Sequence, residues 1–165
     1  MERFWAPWRL QYYKEKDKQC QNACVFCLEE SAAQDRARYV LHRGPDAFVM
    51  LNKYPFVGGH LLIIPYRHMN DITELSAAEA ADIHRLTVLS CRVLREKFHP
   101  TGFNIGVNVG VDGGAGICDH LHQHLVPRWR GDTNFMPLLA EVRVLPQHLE
   151  ETYDLLKPLF DAVAL

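Results

Sequence analysis

Long hydrophobic runs are missing from this chain of 165 residues. An apolar stretch such as Leu61 to Pro65 is far short of the roughly 20 apolar residues that a membrane-spanning helix needs. It reads instead as a buried strand. An excess of either charge is missing too. With 18 basic against 20 acidic residues, no basic field points to nucleic acid or to an anionic membrane. A polyanionic substrate would have to be met by local donors. The opening Met1-Glu-Arg-Phe-Trp5 lacks the positive-then-apolar pattern of an export signal, so a cytoplasmic protein is expected. There is no internal repeat and no low-complexity segment. Cysteine is sparse: five residues, an odd number, do not suit a disulfide framework. Cys24-Val-Phe-Cys27 points instead to metal or redox use in a reduced compartment.

What is present suits one domain, with 48% hydrophobic residues to fill a core. The first 40 residues are irregular, aromatic (Phe4, Trp5, Trp8, Tyr12, Tyr13), then charged (Lys14 to Lys18), then cysteine-bearing. They are expected to wrap the body as an arm. Residues 41–136 would form the core and 137–165 a C-terminal helix. Ala47–Leu51 and Leu61–Ile64 flank Tyr54-Pro-Phe-Val-Gly-Gly59 as two strands of a hairpin. Ser76-Ala-Ala-Glu79 is a capping box. Ile83, Leu86, Leu89 and Val93 follow at helical spacing, and His99-Pro-Thr-Gly102 ends that helix. Phe103 to Val109 and His120 to Val126 alternate as half-buried strands, and Pro146 opens a last helix carrying Leu149, Tyr153, Leu156, Phe160 and Val163. The pattern predicts an α+β domain built on an antiparallel sheet.

The chemistry is concentrated in His120-Leu-His122-Gln-His124. In a strand, alternate side chains share a face, so the three imidazoles would point one way. Each needs a hydrogen-bond partner or a metal if it is buried. The bland alternative is a chance cluster on a solvated sheet surface. Two active readings compete: a zinc hydrolase with histidine ligands, or a neutral imidazole that attacks phosphorus and forms a phosphoramidate. The spacing does not separate them. Upstream, Asn108-Val-Gly-Val-Asp-Gly-Gly-Ala-Gly116 is a glycine-rich loop whose amides could converge on phosphate oxygens. Arg128 and Asn108 are the nearest side chains in sequence to assist it. His42, His84, His99 and His148 are expected to be surface or solvated residues, and Cys20, Cys91 and Cys118 to play no part.

Taken together, Asn52, Gly59-His60, Ile64-Pro65, His68, Asn108 and His120-Leu-His-Gln-His-Leu-Val126 resemble the histidine-triad family of nucleotide hydrolases and transferases. The resemblance extends to its diadenosine tetraphosphate phosphorylase branch through Trp5 with Arg9, the cysteine pair, Pro65-Tyr-Arg-His68, Phe103-Asn-Ile-Gly106 and Pro127-Arg-Trp129-x-Gly-Asp132-x-Asn-Phe135.

That resemblance implies a histidine-triad fold and a homodimer with its sheets joined edge to edge. It implies His122 as the nucleophile that carries a nucleotidyl group, with His124 bonding a phosphate oxygen or the scissile bridge. Asn52 would bind ribose hydroxyls, and Asn108, Gly114 and Gly116 would contact phosphate or the leaving group. His60 would support the triad from behind. Related uridylyltransferases imply a structural zinc at Cys24, Cys27, His68 and His120. The substrate would be a nucleotide or dinucleoside polyphosphate, with phosphate as acceptor. Alternatives are water as acceptor, or a nucleotide-binding regulatory module with little turnover. The chain departs from the pattern in two places: Gly116 and Ile117 stand where many relatives carry a serine, and Gln123 stands where an apolar residue is usual.

Overall fold

A computed structural model describes residues 24–28, 31–117, 119–132 and 148–163. Trp5, Trp8, Arg9, Cys20, Cys118, Asn134, Phe135 and Pro146 lie outside the described residues. Strands β1 (Val40–Arg43), β2 (Ala47–Leu51) and β3 (Leu61–Pro65) precede helix α1 (Ala77–Phe98). Strands β4 (Gly102–Val107) and β5 (Gln123–Arg128) follow, then helix α2 (Leu149–Ala162). The strands form one five-stranded sheet in the order β1-β2-β3-β5-β4, antiparallel at every pairing. The α+β class and the antiparallel sheet are as expected. Strand β1 is not: only Val40 and Leu41 in it are apolar, too short a signal to read from pattern.

Every residue of β2 and β3 is buried, which explains their continuous apolar sequences: both sheet faces are covered. On one face, Leu41, Val49, Leu51, Leu61, Ile63 and Leu125 pack against Leu86, Val93 and Leu94 of α1 and Leu156 and Phe160 of α2. On the other, Phe26 from the cysteine turn packs with Val40, Phe48, Met50, Leu62 and Ile64. Alternation sorts these two sets strictly, so a turn of very few residues does on one face what two helices do on the other.

Helix α1 begins at a complete capping box, with the Ser76 side chain accepting from the Glu79 amide and the Glu79 carboxylate accepting from the Ser76 amide. It ends at His99 in the left-handed region, φ 50°. Its Asp82, 4% exposed, accepts the Asp46 and Ala47 amides at 2.9 Å each and pairs with Arg85. A buried carboxylate with this many donors ties α1 to the start of β2. Gln123 points to the helix side and donates to Thr87 on α1 at 2.7 Å, the role of its polar side chain at that position. Among the described residues, no helix is long and apolar enough to cross a membrane.

Candidate functional site

Strand β5 starts at Gln123, so of the three row histidines only His124 stands in a strand. It sits opposite Leu62 of β3 and Gly106 of β4, on the face that carries Phe26. His120 and His122 precede the strand in irregular chain, and there the row divides. His120 turns to the cysteine pair, its Nδ1 3.3 Å from Cys24 Sγ and 3.8 Å from Cys27 Sγ. His122 and His124 stay together, ring centroids 5.0 Å apart and edge to face.

Backbone groups fix which nitrogen of each ring carries the proton. A carbonyl only accepts. His122 therefore donates from Nδ1 to its neighbour carbonyl on His120, at 2.8 Å, and its Nε2 holds the free lone pair. His120 donates from Nε2 to the Pro65 carbonyl at 2.9 Å, which leaves Nδ1 to the thiols. His60 works in the opposite sense. The Phe56 amide donates to its Nδ1 at 3.2 Å, so the proton lies on Nε2 and is donated to His124 Nδ1 at 3.0 Å. His124 then carries its own proton on Nε2. The pair thus offers one basic nitrogen, from His122, beside one N–H donor, from His124. Burial lowers the pKa of His122, opposed by its bond to the His120 carbonyl. His60, 1% exposed, is pushed down to about 3 by burial and then by His124 and His122.

These two rings open into a cleft of about 440 Å³, lined by Phe26, Arg38, Tyr39, Asn52, Lys53, Asn108, Gly114 and Gly116 among others, a volume suited to a small ligand. Asn52 accepts the Tyr54 amide at 2.9 Å and points its Nδ2 at His60 Nδ1, 3.3 Å away. Asn108 donates to the Gly114 carbonyl at 3.3 Å. The loop between them needs its glycines. A Cβ at Gly113 would stand 2.1 Å from the Val109 carbonyl oxygen, and Gly114 has φ +85°. The Gly114 and Ala115 amides bond within the loop, to Val111 and Gly110. Arg128, named from sequence as a phosphate contact, pairs with Asp132 and donates to Asn104 instead. Among the described residues, the cations lining the cleft are Arg38 and Lys53; Lys53 was legible only as the neighbour of Asn52, and Arg38 carried no signal. His42, expected to be solvated, packs beside the Phe160 ring, centroids 6.1 Å apart.

Cys24, Cys27, His68 and His120 form one group with all donor atoms within 4.8 Å of one another. His68 Nδ1 lies 3.5 Å from Cys27 Sγ. Sulfur–nitrogen edges of about 3.5 Å are those of a tetrahedral metal site with two thiolates and two imidazoles. The His120 ring, donating its other N–H to a carbonyl, is held as metal-binding histidines are. Burial, then the adjacent Cys24 thiol, hold the Cys27 thiol above its ordinary pKa. Two thiolates at this distance call for a shared cation.

The sequence matches the HIT domain model over residues 34–131. It is 35% identical over 161 residues to an AP-4-A phosphorylase from Mycobacterium tuberculosis, covering 94% of this chain and 83% of that one. It is 30% identical over 93 residues to an asymmetrical bis(5'-nucleosyl)-tetraphosphatase from Schizosaccharomyces pombe, 56% of this chain and 50% of the relative. Its fold superimposes on the crystal structure of a zinc-bound histidine triad family protein from Mycobacterium smegmatis with a TM-score of 0.65 and 26% identity, over 84% of this chain and 94% of the other.

The tautomer chain has a measurable consequence. With His60 at about 3 when folded against about 6.5 when unfolded, the unfolded chain gains a proton that the folded one refuses. The stability held by a neutral His60 is therefore complete above about pH 6.5 and declines as pH falls toward about 3, by up to about 1.4 kcal/mol per pH unit. The His60 imidazole resonances should stay fixed from about pH 8 to about pH 5. A midpoint near 6.5 would show that His60 does not hold this role.

Proposed function

The chain belongs to the HIT domain family, and on that premise we propose that it is a nucleotidyl transferase that cleaves a dinucleoside polyphosphate, diadenosine tetraphosphate, through a covalent nucleotidyl-histidine. The observation that carries this is the proton arrangement at the mouth of the cleft: His122 presents a lone pair on Nε2 while His124 presents an N–H beside it. His122 Nε2 attacks the α-phosphorus, the N–P bond forms, and the bond from phosphorus to the departing nucleotide's oxygen breaks. His124 bonds the phosphate oxygen or bridging oxygen on which charge grows. An acceptor oxygen then attacks the same phosphorus and releases His122. With phosphate as acceptor the products are ADP and ATP. This choice is supported by the relative named AP-4-A phosphorylase. Water as acceptor, the reading favoured by the tetraphosphatase relative, gives AMP and ATP.

Within this reading, Asn52 holds the ribose hydroxyls and Asn108 with Gly116 receives phosphate, while Gly114, whose amide bonds Val111, shapes the wall beside them. His60 keeps His124 in its donating form. Zinc fits the four-donor group; Cys24, Cys27, His68 and His120 would hold it, and it would then supply structure to the cysteine turn rather than a bound water. The homodimer is supported by β4, which lies at the edge of the sheet and leaves Ile105 49% exposed, the kind of edge a second copy covers.

Four outcomes test the reading. His122→Asn should abolish turnover while nucleotide binding stays measurable, and His124→Ala should cost about 10²–10⁴-fold; a His122→Asn enzyme keeping a substantial rate rules out the covalent route. Given labelled inorganic phosphate, the ADP formed should carry label, whereas unlabelled AMP with ATP makes the enzyme a hydrolase. Protein purified without chelator should contain about one zinc per chain, and Cys24→Ser should lose it together with thermal stability; metal content unchanged in that variant places no zinc there. Sedimentation should give a dimer that Ile105→Lys dissociates, and a wild-type monomer refutes that assembly.

A further inference from the structure

The turn that carries Cys24 and Cys27 is also a wall of the cleft. Val25 and Phe26, the two residues between the thiols, both line it. Phe26 is 5% exposed, and its ring lies 5.0 Å from that of His122 and 5.9 Å from that of His120, centroid to centroid. Its amide donates to Cys24 Sγ at 3.4 Å. Arg38 clamps the turn from outside, donating to the Cys27 carbonyl at 2.7 Å and to the Val25 carbonyl. The His122 ring, for its part, is tethered by a single local bond to the His120 carbonyl, with the His124 ring as its other described aromatic neighbour. One hydrogen bond fixes the proton but leaves the ring free to tilt about it. A flat side chain packed on the imidazole removes that freedom, and in-line attack on phosphorus is sensitive to displacements of about 1 Å.

We propose that Phe26 is a positioning residue for the His122 imidazole, and that the metal ion bound by Cys24, Cys27, His68 and His120 acts on the nucleotide cleft by fixing Phe26. The kinetic part rests on His122 being the nucleophile; the geometric part does not. The metal has two routes to His122: through the turn and Phe26, or through His120, whose carbonyl holds His122 Nδ1. The packing favours the first, because the ring of Phe26 lies against both imidazoles while Cys24 and Cys27, at either end of the Val25-Phe26 pair, belong to the four-donor group.

The test uses full-length, histidine-labelled protein, metal-free and then titrated with zinc. In the wild type, zinc should shift the His122 ring resonances. In Phe26→Ala, the His120 signals should respond as before while the His122 response falls by more than half. Phe26→Ala should also lower kcat about ten- to a hundredfold, with KM changed far less and zinc content kept, and Phe26→Leu should recover most of the rate. If the alanine variant fails to fold, the leucine variant carries the same comparison, with a partial loss of the His122 response expected. A His122 response that survives intact in these variants assigns the coupling to the His120 carbonyl and overturns the proposal. So does absence of zinc uptake by the wild type, or an unchanged kcat in a folded Phe26→Ala. Should His122→Asn prove fully active while Phe26→Ala still silences the zinc response, the nucleotidyl-histidine reading fails and the positioning inference stands.

Discussion

A carbonyl oxygen accepts hydrogen bonds and never donates them, and the carbonyls of His120 and Pro65 therefore dictate the protonation pattern of this site. His122 has to put its proton on Nδ1 and His120 has to put its own on Nε2. The Phe56 amide imposes the reverse constraint on His60 and, through it, on His124. None of these is a property of the imidazoles alone, since a free histidine exchanges its tautomers readily. The remainder of the fold serves to place a few backbone groups. Strand β3 delivers Pro65, the β2–β3 connection delivers Phe56 and His60, and β5 sets His124 beside them.

Burial makes the constraint effective. His60, His120 and His122 are almost wholly enclosed, and their pKa values fall because a charged ring there would lose its hydration. A neutral ring in a fixed tautomer is a nucleophile or a donor according to which nitrogen faces the cleft. For His120 and His122 the cysteine turn contributes to the enclosure, placing Phe26 against both rings and two thiols beside His120, while Phe56 stacks on His60. The same short turn thus contributes two thiols to the four-donor group, apolar cover to the sheet and a wall to the cleft.

Much of the architecture was legible in the residues. The capping box at Ser76 and Glu79, the apolar stripe after it, and the paired runs Ala47–Leu51 and Leu61–Pro65 are local signals, and local hydrogen bonding and periodicity decide such elements. Strand β1 escaped because only two apolar residues mark it, and its pairing with β2 is what makes it a strand. The expectation of a strand from His120 failed in a similar way, although the His120 and His122 rings both still pack on Phe26. The chain stays irregular until Gln123 and turns His120 toward the thiols. Arg128 looked available to a phosphate because sequence placed it near the row, while Asp132, one turn further on, claims it.

Residue order set the inventory: four histidines and two cysteines that can bond metal or phosphorus, glycines that permit a tight loop at Gly113 and Gly114, and asparagines to meet hydroxyls or phosphate. Those are matters of side-chain chemistry and short-range conformation, which the order of residues specifies directly. Tertiary structure alone decided the division of labour. Whether an imidazole faces a thiol, a carbonyl or another imidazole depends on residues tens of positions apart: Cys24 against His120, Pro65 against His120, His60 against His124. Proton placement follows from those contacts, because a tautomer is chosen by the partner of the opposite nitrogen.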